Sequence, residues 1–116
     1  MTFTVSRDGQ TLVTLHEGTD TTARDEATAE LATVLESLVS EGEISDWAID
    51  DADVYEHPTA PFEPYTIEVG FAVSVVVDVD DADRAAAVGT DAIDDALANA
   101  GVDGVTYTSQ PATSAA

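Results

Sequence analysis

An α+β domain, with two helices on one face of a mostly antiparallel sheet, is the fold class the sequence predicts from three observations. In Tyr65–Val79 the odd positions Tyr65, Ile67, Val69, Phe71, Val73, Val75, Val77 and Val79 are apolar without a break. Successive strand side chains point to opposite faces, so this is a long central strand with one face on the core. Two other stretches, from Thr22 and from Ala82, repeat small and apolar residues at intervals of three and four, the spacing of a helix face. The remaining segments are short alternating runs bounded by Gly, Pro and Asp, which read as further strands. A chain of 116 residues is of single-domain size, so one domain over 1–109 is expected, with 110–116 as a disordered tail.

Taking the elements in order, Thr2–Ser6 and Thr11–His16 flank Arg7-Asp8-Gly9. A three-residue loop with Gly9 left-handed would put Phe3, Val5, Val13 and Leu15 on one face, which predicts a bulged hairpin. Thr22 with Asp25 resembles a capping box, and Ala27, Leu31, Val34, Leu35 and Leu38 form a stripe that Gly42 closes. In Asp46–Tyr55, Trp47 and Ile49 are in one phase and Ala52 and Val54 in the other; a bulge near Asp50-Asp51 reconciles them. Pro58, Pro61 and Pro64 make Glu56–Pro64 an extended connector. Past the central strand, Asp80 or Asp81 caps a helix over Ala82–Asn99, with Ala82, Ala86, Gly89, Ile93, Ala96, Leu97 and Ala100 toward the sheet. Gly101 ends it, and Val102–Ser109 supplies a last strand.

Counted from the second hairpin strand, this is the βαββαβ order of the ferredoxin-like split βαβ fold, with an extra N-terminal strand. Both helices of that fold cover one side of the sheet. The even positions of the central strand would lie on the other side.

The charge balance is extreme. Twenty-four Asp and Glu residues stand against three arginines, Arg7, Arg24 and Arg84, with no lysine, for a net charge of −21. Such a surface repels itself in dilute buffer, and molar salt, with a Debye length of about 3 Å, removes most of that repulsion. The lysine-free, Asp-rich composition with many Ala, Val and Thr residues resembles proteins of salt-in haloarchaea; the resemblance covers the whole chain and implies a solvent rather than an activity. Three scattered arginines do not make a phosphate-binding footprint, so nucleic acid is not expected as a partner. Acidic residues interrupt every apolar stretch short of a membrane span, and Met1–Arg7 lacks a basic region followed by an apolar run, so a soluble cytoplasmic protein is expected. With no cysteine, thiolate chemistry and disulfides are excluded.

Reaction motifs fail residue by residue. Asp78, Asp80, Asp81 and Asp83 break the EF-hand pattern at Ala82, and Asp50, Asp51 and Asp53 likewise read as surface acids. His16-Glu17 is followed at position 20 by Asp20 rather than a zincin histidine, and a site joining His16, His57 and Glu56 needs the fold to bring them together. No catalytic residue, cofactor site or metal site is therefore expected.

Two surfaces remain as candidates. Thr66, Gly70, Ala72, Ser74 and Val76 present a small, half-polar sheet face suited to another sheet, which predicts a homo-oligomer, with a homodimer as the simplest case. In the loop, Tyr55, Glu56, His57, Phe62 and Tyr65 gather ring-bearing residues around the prolines. The first surface implies a non-enzymatic binding or assembly module of a halophilic cytoplasm with salt-dependent stability; the second implies a small enzyme or metal-binding protein.

Overall fold

A computed structural model describes residues 1–16, 19–56, 63–102 and 104–115, with the backbone alone at position 56. Its elements are β1 (Thr2–Leu15), α1 (Asp20–Ser40), β2 (Asp46–Glu56), β3 (Tyr65–Asp78), α2 (Ala82–Asn99), β4 (Thr106–Tyr107) and β5 (Ala112–Ala115). The sheet is antiparallel with strand order β2-β3-β1-β4, and β5 also pairs with β1. This is the α+β, ferredoxin-like arrangement, with both helices on one side.

The hairpin does not form. Residues 2–15 are one strand that pairs with β3 along its whole length, from Thr2 opposite Asp78 to Leu15 opposite Tyr65. A three-residue loop and a straight strand both keep Phe3, Val5, Val13 and Leu15 on one face, so phase could not separate them. Ladder length does. A hairpin would leave about half of the β3 edge without backbone partners, whereas the straight strand satisfies all of it. The glycine in the supposed turn has a packing role instead. A Cβ on Gly9 would stand 3.3 Å from the ring of Phe71 and 3.4 Å from the Thr106 carbonyl oxygen.

The extra strand is thus not N-terminal. The fifth strand lies at the other end, where a disordered tail was expected. Four residues, 108–111, span the place of only Arg7 and Asp8 between β4 and β5, so the last strand of the fold is one strand interrupted by a two-residue bulge. Thr108 N–H donates to the Asp8 carbonyl inside it, at 2.9 Å. Beyond the bulge, β5 continues along the edge of Phe3–Ser6, whose backbone groups would otherwise lack partners. The predicted strand over Val102–Ser109 is correspondingly shorter.

β2 follows the expected pattern. Its register shifts between Ile49 and Asp51, so Trp47 and Ile49 before the bulge and Ala52 and Val54 after it all oppose core-facing residues of β3. Gly70 sits beside this bulge, opposite Asp51. The Asp51 carboxylate lies over it, with Oδ1 2.7 Å from where a Cβ would be.

The N-cap of α1 is Thr19 rather than Thr22: the Thr19 hydroxyl accepts from the Thr22 N–H. Ala23, Ala27, Leu31, Leu35 and Leu38 are buried, while Val34 is only partly so. Asp81 caps α2, accepting from the Arg84 N–H at 2.8 Å. On α2 the buried set is Ala85, Gly89, Ile93, Ala96 and Leu97, so Ala85 takes the place expected for Ala82, which is exposed. Gly42 and Gly101 adopt φ of 77° and 81° and close both helices. Glu43 N–H donates back to Leu38 and Val102 N–H to Leu97, the paired bonds of a Schellman cap.

The core lies between sheet and helices. Ile67, Val69, Phe71, Val73 and Val75 of β3, Phe3 and Val5 of β1 and the buried helix residues form it.

Candidate functional site

Because both helices lie on one side, the opposite sheet face carries the even residues of β1 and β3 with one set from β2. Four rows cross it in register: Ser6, Ser74, Asp46; Asp8, Ala72, Ala48; Gln10, Gly70, Asp51; and Leu12, Glu68, Asp53. The expected interface residues belong here. Val76 is 52% exposed, Thr66, Ala72 and Ser74 are half-buried by their neighbours, and Gly70 is buried beneath Asp51.

The three strands contribute different chemistry. β1 presents hydroxyl and amide groups at Thr4, Ser6, Gln10 and Thr14, with the exposed Asp8 carboxylate among them. β2 presents the carboxylates of Asp46, Asp51 and Asp53. Between them β3 has small residues at its centre. The Ser6 and Ser74 hydroxyls are hydrogen-bonded at 2.7 Å, and the Ser45 hydroxyl donates to the Ser74 carbonyl at 3.0 Å.

The loop set divides. Tyr55, 62% exposed, lines a shallow groove on the open face with Gln10, Leu12, Glu68 and Thr106. Tyr65 is at an odd position and packs on the helix side. There its hydroxyl hydrogen-bonds the Asp20 carboxylate at the start of α1, and this bond, with smaller contributions from burial and the Asp20 charge, raises its pKa. Tyr55 and Tyr65 therefore do not converge on one ligand. His57 and Phe62, and the side chain of Glu56, lie outside the described residues. The possible His16/His57/Glu56 grouping shares that position. Among the described residues, no three His, Asp or Glu side chains are grouped so as to hold a metal ion.

A polar cluster on the helix side escaped the sequence reading. Arg7 points to that side because β1 is straight, and its guanidinium carbon lies 3.8 Å from the centroid of the Tyr107 ring. The Tyr107 hydroxyl donates to Asp94 of α2. Burial, then the bond to Asp94 and its charge, raise the tyrosine pKa well above its usual value, with Arg7 opposing. The cluster ties β1, β4 and α2 together at the sheet edge. Its signal was the odd phase of Arg7, which a turn at that position hid. Farther along α1, Trp47 Nε1 donates to the Glu36 carboxylate at 3.1 Å.

Compared with protein-family models, curated proteins and solved structures, the chain matches none. No helix among the described residues is long and apolar enough to cross a membrane.

Proposed function

We propose that this chain is a small non-enzymatic binding and assembly module of a salt-rich cytoplasm, working as a homo-oligomer through the open face of its sheet. One observation carries the reading. The odd face of β3 is buried from Ile67 to Val75, while its even face, flanked by β1 and β2, has no helix over it and exposes Val76 on a strand whose other even residues are mostly small, with carboxylates on the strands beside it. A flat surface of that kind matches a second sheet better than it matches water.

Its size is adequate. Three strands about 4.8 Å apart and about 40 Å long present roughly 600 Å² in projection. Side-chain relief brings this toward the roughly 800 Å² per partner of a specific interface. The charge of −21 opposes association in dilute buffer, and molar salt screens that repulsion.

Molar mass by light scattering in about 2 M potassium chloride tests the proposal, the salt being chosen to screen the carboxylates. A dimer or larger species that Ala72→Glu or Val76→Glu converts to a folded monomer is the expected result. A monomeric parent protein under that condition overturns it.

A further inference from the structure

We infer that two copies of the chain pack face to face about a two-fold axis running along β3, so that β1 of each copy lies over β2 of the other. This rests on the open face being the contact surface, and it adds the orientation and the groups that select it.

Closed dimers are built on a two-fold axis, and aligned sheets keep their strands within about 30° of one another. For two sheets meeting at these open faces, the axis lies between them and runs either across the strands, through the row of Ala72, or along β3. The two choices differ in which strands meet. An axis across the strands lays β2 on β2 and sets Asp46 over Asp51 of the second copy, carboxylate on carboxylate. It also sets Ser6 over Gln10, where neither group brings a charge.

An axis along β3 exchanges the outer strands and keeps the rows. Ser6 then faces Asp46 of the second copy, and Gln10 faces Asp51, each a neutral donor against a carboxylate. Hydrogen bonds to an ionised acceptor are shorter and stronger than neutral ones. Both copies contribute the same set, so every such pair occurs twice. The apolar groups fall into place as well. Tyr55, 62% exposed, comes over the neighbourhood of Leu12 of the second copy, itself 45% exposed. On the axis, Ala72 and Ser74 let the sheets approach closely, while the Asp51 carboxylate covers Gly70. The adverse contacts are Glu68, which meets its own copy across the axis, and Asp53, which faces Leu12 of the second copy, so the contact depends on salt there.

The chain has no cysteine, so single thiols introduced on exposed or half-buried positions report the orientation directly. Ala72→Cys, Asp8→Cys and Ala48→Cys are treated in molar potassium chloride with a short bismaleimide whose reach suits the about 10 Å spacing of packed sheets. Circular dichroism establishes that each variant is folded. Ala72→Cys should link to itself, since both axes pass through its row. Asp8→Cys mixed with Ala48→Cys should give a linked dimer, while each alone stays single. If Ala72→Cys links but Asp8→Cys and Ala48→Cys link each to itself, or give no mixed product, the open face is the interface and the orientation is wrong. If Ala72→Cys gives no link and the protein has monomer mass, the interface itself is wrong and the orientation falls with it.

Discussion

Changing Gly89 to alanine reverses a familiar effect. On an exposed helix the change stabilises by about 0.5–1 kcal/mol, because glycine is the poorer helix former. At position 89 the new methyl carbon would stand 2.5 Å from Val5 Cβ and 2.6 and 2.7 Å from its two Cγ atoms. Carbon atoms in contact settle at about 3.5–4.0 Å, so α2 must retreat from β1 by about 1 Å. Val5 cannot move aside. It is fully buried, and rotation about χ1 leaves its Cβ where it is. Overpacking of this kind costs about 1–3 kcal/mol, so a net loss of about 1–2 kcal/mol remains after the propensity gain. In a domain of this size that lowers the melting temperature by several degrees, at roughly 4 °C per kcal/mol. Urea unfolding in about 2 M potassium chloride, a screening condition, followed by Trp47 fluorescence and circular dichroism, measures it. Val5→Ala removes the two Cγ contacts but keeps the Cβ at 2.5 Å, so the double variant should recover only part of the overpacking loss, about 0.5 kcal/mol beyond the sum of the two single changes. A midpoint unchanged or raised by Gly89→Ala would refute the close approach of α2 to β1.

Unfolding free energy should rise steadily as potassium chloride increases from low to molar concentration, and a flat profile would contradict the repulsion argument. Tyr107→Phe removes the bond to Asp94 and should cost about 0.5–1.5 kcal/mol at neutral pH. Because the pKa values of Tyr107 and Tyr65 are raised on folding, their contribution is fully present below the unfolded value of about 10 and is lost as pH climbs beyond it. Denaturation between neutral pH and about pH 11 should show this loss, with a smaller fall in the Tyr107→Phe variant. Removing residues 110–116 should destabilise the protein and open the Phe3–Ser6 edge to exchange of its amide hydrogens. A tail without structure would leave both unchanged.

What the sequence made legible was whatever a single periodicity decides. The odd face of β3, the limits of α2, the glycine caps and the bulge between Ile49 and Asp51 all follow from local phase or from a residue whose backbone need is specific. What stayed hidden depended on pairing at a distance. The odd residues of β1 are in phase whether the chain turns at Arg7-Asp8-Gly9 or runs straight through, and only the length of β3 settles the matter. With a turn there, Arg7 belongs to a loop rather than to a strand face, and its contact with Tyr107 does not follow. Ala112–Ala115 has no large apolar residue to announce a strand; it is held by the free edge of β1. For the candidate site, the even residues of β3 were readable, whereas the donors of β1 and the carboxylates of β2 beside them required the register.

The pairing of β1 with β3 has a consequence for synthesis on the ribosome. Leu15 needs Tyr65 and Thr2 needs Asp78, so the first strand made waits for roughly 50 to 75 further residues, several seconds at about 5–20 residues per second. During that interval Gly9–Leu15, a run of seven uncharged residues with strand-forming character, has no partner of its own. Neighbouring nascent chains offer identical runs. The acidic residues of α1 emerge directly behind that run, and their mutual repulsion holds such chains apart until β3 arrives.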